Sequence, residues 1–403
     1  MQTKQTVARV LACCKTLMHS GRHQVLEEVS KAAFFGAALS LSRLALGAQR
    51  QTALRHRIKC VDRLLGNRRL DAERIELYRA LAHQWLTGLP QLLIVVDWSS
   101  LTADMQWHWL RASVVVEGRS ITLYEEVHPR RHLAAYVVHR RFMQRLAYVL
   151  QPTRQAPIII SDAGFRNTWF RLVASHGWQW IGRVRNRDMV RREGGDWSPG
   201  KHLYAQASGR ARDLGLYETV RNHPLLCRLV LLKQAAKGRK HRYPSGKEKL
   251  NSETRKVSAR HREPWLLSCS PQLCHLSAQA IVGLYAQRMR IEQQFRDTKS
   301  EVLGMGLSGS RSSGRARLQA LLLIDHIASL AKRLVGEAAR ACQMELQFMS
   351  TNRKQGHEIS VMTLAERVIA RADPSDRLPP LQDCLDWLRE QAASALNHSS
   401  LAL

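Results

Sequence analysis

The sequence predicts an α/β protein in which a central block of strands and helices is flanked by helical N- and C-terminal regions. Three observations point there. Between Gln91 and Arg185, short apolar runs of strand length alternate with amphipathic helical spacing. Residues up to about Leu89 are dense in Leu, Ala, Arg and Lys with almost no Pro, a composition suited to short packed helices. Leu318 to Ala341 again follows helical spacing, and so does Ser350 to Leu403 with a break at Pro379 and Pro380.

A chain of 403 residues can bury large cores and is expected to divide into two to four domains. With 62 Lys and Arg against 33 Asp and Glu, the formal net charge is +29. An excess of that size makes a polyanion the expected partner, nucleic acid before an anionic membrane surface. No apolar run approaches the roughly 20 residues that cross a bilayer, and Leu321 to Ile324 is followed at once by Asp325 and His326. Val10 to Cys14 is too short for the apolar core of a secretion signal. The eight cysteines contain no C-x-x-C pair. Cys269 and Cys274 lack a matching His/Cys pair, so a zinc site is not expected and reduced thiols in a cytoplasm are.

Taken in order, residues 1–88 are expected to form a helical domain. Ile58, Val61, Leu64 and Leu65 fall at helical spacing, while Arg55, Arg57, Lys59, Arg63, Arg68 and Arg69 decorate the remaining surface. A preceding helix, Ala37 to Leu46, ends at Gly47 and would complete a helix-turn-helix-like unit. The pair is either an Arg-rich solvated surface or, given the overall charge, a DNA-binding domain.

Residues 89–186 open a core. Gln91 to Trp98 reads as a strand covered on both faces, with Asp97 at its end. Trp109 to Val116 and Ser120 to Val127 read as a hairpin, and His132 to Leu150 as an amphipathic helix. Pro157 to Asp162 is a second buried strand ending in an acid; Asn167 to His176 is a short helix and Gly177 to Arg185 another strand. Residues 187–275 lose the periodicity, although Leu216 to Val220 and Leu225 to Lys233 remain β-prone. Lys233 to Arg262 carries 11 Lys and Arg against two Glu. Its Lys237 to Lys249 segment is either a solubilising linker or a clamp on DNA phosphates. Trp265 begins a strand after it.

Ser277 to Gly304, within a segment spanning 276–312, is expected to be a helix of several turns, with no Gly or Pro between Leu284 and Leu303. At about 100° per residue, Tyr285, Arg288, Glu292 and Lys299 project near 0°, −60°, −20° and −40°, forming one polar stripe beside Leu284, Ile291 and Phe295. A solvated helix with ordinary Arg–Glu pairing would share this spacing. An Asp closing a buried strand can likewise serve only a turn. If Asp97 and Asp162 close neighbouring strands and Glu292 is presented by a helix across them, three carboxylates meet. Hard divalent cations such as Mg²⁺ or Mn²⁺ would have to neutralise them. Two such ions about 4 Å apart promote phosphoryl transfer. The Gly- and Ser-rich run after Leu303, with interspersed Arg, suits a sugar-phosphate backbone. Residues 313–403 carry no assigned chemistry.

The pattern Y-x2-R-x3-E-x6-K at Tyr285, Arg288, Glu292 and Lys299, with D-A-G-F at Asp162 and the strand-end Asp97, resembles the bacterial insertion-sequence DDE transposases of family four. IKCVDRLLGNRRL, VDWS, LRASV, GRSITLYE and EPW have counterparts in the cut-and-paste branch of the transposon Tn-ten type, and the resemblance runs from about Ile58 to about Ser312. It implies a ribonuclease-H-like catalytic core with a β-rich insertion before the Glu helix, and two Mg²⁺ (or Mn²⁺) held by Asp97, Asp162 and Glu292. It also implies phosphate contacts from Tyr285, Arg288 and Lys299, and stacking of Trp265 on a flipped base. The implied partners are element ends and target DNA, bound by a dimer near the bacterial nucleoid. Arg63, Arg68 and Arg69 are the expected DNA contacts of the N-terminal domain.

Overall fold

The computed structural model describes residues 2–89, 91–151, 156–234, 263–301, 304–349, 359–371 and 378–397. The basic segment Lys237 to Lys249 lies outside them. The chain folds as two compact units, the first built from Met1–Gln155 and Met289–Ala395, the second from Ala156–Arg288.

In the first unit, five helices precede the sheet: α1 (Thr6–Leu11), α2 (Ser20–Phe34), α3 (Leu41–Gly47), α4 (Leu54–Leu65) and α5 (Arg68–Leu86). The starts of α3 and α5 have a local cause. Ser40 Oγ accepts from the Arg43 amide, so the expected helix from Ala37 begins at Leu41 instead. Asn67 Oδ1 accepts from the Arg69 and Leu70 amides and opens α5. Gly47 lies inside α3 rather than capping it. A Cβ there would stand 2.9 Å from the Ala32 Cβ, so glycine permits the close approach of α2 and α3.

The sheet of this unit has the order β3-β2-β1, made of β1 (Leu93–Ser100), β2 (Trp107–Val115) and β3 (Ser120–Pro129), all antiparallel. The hairpin expected from the sequence is β2–β3; it turns at Gly118, whose φ of 69° is left-handed, and the Val116 amide closes on the Arg119 carbonyl. Helix α6 (Tyr136–Leu150) follows.

The second unit carries seven strands among its described residues, in the order β4-β5-β10-β9-β8-β6-β7. Its elements are β4 (Ile158–Ser161), α7 (Asn167–Ser175), β5 (Gln179–Arg183), β6 (Met189–Arg191), β7 (Ser198–Pro199), β8 (Arg212–Thr219), β9 (Leu225–Leu232), β10 (Trp265–Cys269) and α8 (Ala278–Ala286). Strands β4 and β5 run parallel through the α7 crossover, and the other pairs are antiparallel.

The chain re-enters the first unit with α9 (Met289–Lys299), α10 (Arg315–Ala341), α11 (Val361–Arg371) and α12 (Leu381–Asn397). From Leu318 to Ala339 only Ser329 of α10 escapes burial, because β3, α2 and α11 all pack on it. Among the described residues no helix is long and apolar enough to cross a membrane.

Candidate active site

The stretch expected as one helix is two. Ser277 Oγ accepts from the Ala280 amide and starts α8. At its end the amides of Gln287 and Arg288 reach back to the Leu284 and Tyr285 carbonyls, three residues away rather than four. The helix therefore breaks at Gln287–Arg288. The single stripe is corrected accordingly: Tyr285 rides α8, Arg288 sits in the turn, and only Glu292 and Lys299 share α9. Seven residues apart, those two still project within about 20° of each other.

Helix α9 is seated from several sides. Ile291 and Phe295 are buried, with the Phe295 ring stacked on Trp109 at 5.0 Å between centroids. Gln294 bridges the sheet: its Oε1 accepts from Ser113 and Ser120 Oγ, both at 2.9 Å, and its Nε2 donates to Thr122 Oγ1 at 2.8 Å. Arg119 donates to Asp297 at 2.8 Å and to Gln293 at 3.1 Å, and Arg290 donates to the Val116 carbonyl. These bonds fix the rotation of the helix as well as its position.

The same helix packs on β1, where Asp97 lies in register with Arg111. Asp97 is 8% exposed, and its Oδ1 accepts from the Trp98 amide at 2.8 Å. Lys299 Nζ donates to Ser99 Oγ at 2.8 Å, two residues beyond that Asp, and lies 5.8 Å from the Trp109 ring centre. Burial, reinforced by the Arg111 charge, holds the Lys299 ammonium below the usual lysine range. Thus the first unit brings the strand bearing Asp97 against the helix bearing Glu292 and Lys299.

Beneath them lies a charge cluster missing from the sequence-based expectations. Arg111, with no exposed surface, donates to Glu125 at 2.6 Å and to Asp325 at 3.4 Å. Tyr78 donates to Glu125 and Thr298 to Asp325, at 2.9 and 2.8 Å. Burial raises both carboxyls above their ordinary range, and Asp325 raises Glu125 further, although Arg111 opposes both shifts. Thr298 belongs to α9, so the cluster anchors the Glu292 helix from below. Its sequence signal was the charge inside apolar runs, at LRASV, LYEE and LLLIDH.

A second group flanks Asp97 along β1. Trp98 Nε1 donates to His139 Nε2 at 3.0 Å, and the Trp98 ring meets His128 edge-on at 5.6 Å. His128 pairs with Glu126 at 2.9 Å, and Arg145 with Glu126 at 2.7 Å. Burial, then the nearby His128, pushes His139 down to about 4.

The second unit holds Asp162, Trp265, Tyr285 and Arg288. Asp162 follows β4, and its Oδ1 accepts from the Gly164 amide at 2.7 Å. A Cβ on Gly164 would stand 2.7 Å from that oxygen, so a larger residue there would force the Asp162 carboxylate to shift. Trp265, half-buried at the start of β10, meets the buried Tyr285 ring edge-on at 5.0 Å. In the first unit, Arg63, Arg68 and Arg69 are all exposed. Within each unit, among the described residues, no three His, Cys, Asp or Glu side chains are gathered to hold a metal ion. The donors that Asp97 and Glu292 supply are carboxylate oxygens, the chemistry a hard divalent cation takes.

No curated protein matches the chain. A family model described as the transposase DDE domain matches residues 88–329, a span that includes Asp97, Asp162, Trp265, Tyr285, Arg288, Glu292 and Lys299. With more than half of its length so matched, the chain belongs to the transposase DDE domain family, enzymes of DNA recombination that act as endonucleases and transferases on insertion-sequence DNA.

Proposed function

We propose that this transposase moves its element by a cut-and-paste route, as a member of insertion-sequence family four with a ribonuclease-H-like core. The observation that carries the assignment is the packing of the Glu292 helix on the Asp97 strand, secured by Gln294 and by the Lys299–Ser99 bond. Enzymes of the family use divalent metals such as Mg²⁺. Asp97, Asp162 and Glu292 would hold two such ions, which supply a nucleophile at neutral pH and neutralise the leaving oxygen.

The chain's own residues bind and orient the DNA. Arg288 and Lys299 grip phosphates at the element terminus, where the planar guanidinium matches a pair of phosphate oxygens. Tyr285 donates a hydrogen bond to one of them. The 3′ hydroxyl freed by the first cut attacks the opposite strand, displacing its 3′-linked neighbour and closing a hairpin. Trp265 stacks on the base extruded there, and the hairpin is reopened before joining to target DNA. Arg63, Arg68 and Arg69 contact the duplex from the N-terminal helices. Two chains hold two ends, so the active form is a dimer on DNA.

The test uses the inverted repeats flanking the reading frame, as labelled duplexes with Mg²⁺ and a plasmid target. The expected products are cleaved ends, a terminal hairpin and joined plasmid, all lost on chelation and in Asp97→Asn, Asp162→Asn and Glu292→Gln. Cleavage without joined plasmid would instead assign a nuclease. Binding without any cleavage would assign a DNA-binding repressor.

A further inference from the structure

The first unit contains an open groove of about 530 Å³ between the start of α3 and the loop joining α9 to α10. Ser40, Ser42 and Arg43 line one wall; Arg311, Ser312 and Ser313 line the other. The walls are held in place by backbone bonds. The Leu39 amide donates to the Met305 carbonyl at 2.8 Å, and the Gly306 amide to the Ser300 carbonyl at 2.8 Å. Gly306 adopts a φ of 65°, and a Cβ on it would stand 3.0 Å from the Ala38 Cβ. The loop therefore lies tight against the segment that leads into α3.

The lining is unbalanced in charge. Some arginines of this unit have a carboxylate partner: the half-buried Arg22 with Glu73 and Arg50 with Glu28, and the exposed Arg315 with Asp71. Arg317, at the edge of the groove, pairs with Asp62 at 2.8 Å. Arg43 and Arg311 are exposed and have no carboxylate partner among the described residues, and no carboxylate lines the groove. Two like charges beside four hydroxyls form a surface that a bound anion would complete. Guanidinium and Ser hydroxyl are both groups that contact nucleic-acid phosphates.

We propose that this groove takes the phosphodiester backbone of a DNA strand, with Arg43 and Arg311 each neutralising one phosphate. It would be a clamp additional to Arg288 and Lys299, on the loop that continues directly from the Glu292 helix. The proposal rests on the assignment of DNA as substrate. The strand is either that of the element end or that of the target, since both present the same phosphates.

The full-length chain and its Arg43→Gln/Arg311→Gln variant are titrated by fluorescence anisotropy across a salt series. One duplex carries the terminal repeat and another an unrelated sequence. Each lost phosphate contact lowers the slope of log affinity against log salt by roughly 0.9, so the double variant should lose about 2. Arg43→Lys/Arg311→Lys should restore the slope, which separates charge from folding. A loss confined to the repeat duplex identifies the element end; an equal loss on both identifies a general backbone clamp that serves target DNA as well. An unchanged slope on both duplexes, while Arg63→Gln lowers it, overturns the groove. A wild-type chain that binds DNA and never cuts it would overturn the catalytic assignment and leave this comparison readable.

Discussion

Replacing Arg111 with Met would show how much the buried charge cluster supports the Glu292 helix. Methionine keeps an unbranched stem and apolar contact with Trp109, whose ring centre lies 4.5 Å from the guanidinium carbon. It removes the guanidinium that donates to both members of the buried Glu125–Asp325 pair, at 2.6 and 3.4 Å. Breaking a buried ion pair in this way costs about 3–5 kcal/mol, against total stabilities of about 5–15 kcal/mol. Protonation offers relief. Glu125 and Asp325 already sit above the ordinary carboxyl range, and without Arg111 they would rise further. A carboxyl whose folded pKa is raised binds more protons folded than unfolded. Its contribution to stability is therefore present at low pH and lost as pH rises through the folded value. The deficit of Arg111→Met relative to the parent should be largest near neutral pH and shrink towards about pH 5, read by urea unfolding at both values. A deficit below about 1 kcal/mol at neutral pH, or one indifferent to pH, would refute the cluster's role.

Three further outcomes follow from the geometry. Gln294→Ala removes bonds to Ser113, Ser120 and Thr122 and should cost about 1–3 kcal/mol; turnover should fall with DNA affinity kept, and loss of affinity alone would count against a positioning role. His139 is held at about 4, below its unfolded value, so the unfolded chain binds the extra proton between about pH 4 and 6.5. Stability should fall with acidification through that window, and a melting temperature as steep in pH in His139→Phe as in the parent would argue otherwise. Trp265→Ala should weaken the proposed hairpin step by about 1–3 kcal/mol in activation free energy while first-strand nicking persists, measured by product-resolved kinetics; equal loss at both steps would point to a purely structural indole.

The strands were legible because their patterns are local. Gln91 to Trp98 and Pro157 to Asp162 are continuous apolar runs, and they became β1 and β4. Ile291 and Phe295 were expected on a buried face and are buried. The break at Gln287–Arg288 was not legible, since no Gly or Pro marks it and helix propensity alone favours continuation. Its setting is tertiary: α9 is held by Arg119, Gln294 and Arg290 on β2 and β3. The Arg111 cluster was hidden for a related reason, because Arg111 and Asp325 meet across 214 positions. Each alone looks like an isolated charge in an apolar run. The DNA contacts expected of Arg63, Arg68 and Arg69 rested on charge and helical spacing, and both are surface properties that a sequence displays directly.

Helix α10 runs through the interior with its polar side chains engaged, Gln319 with Asp71 and the Val127 amide, Asp325 with Thr298 and Ser329. Amide protons along its middle can reach solvent only when the surrounding layers separate, so they should be among the slowest to exchange for deuterium. Through Thr298, the helix carrying Glu292 is moored to this late-opening centre. Fraying at the outer helices can then come and go without shifting the acid on which phosphodiester scission is proposed to depend.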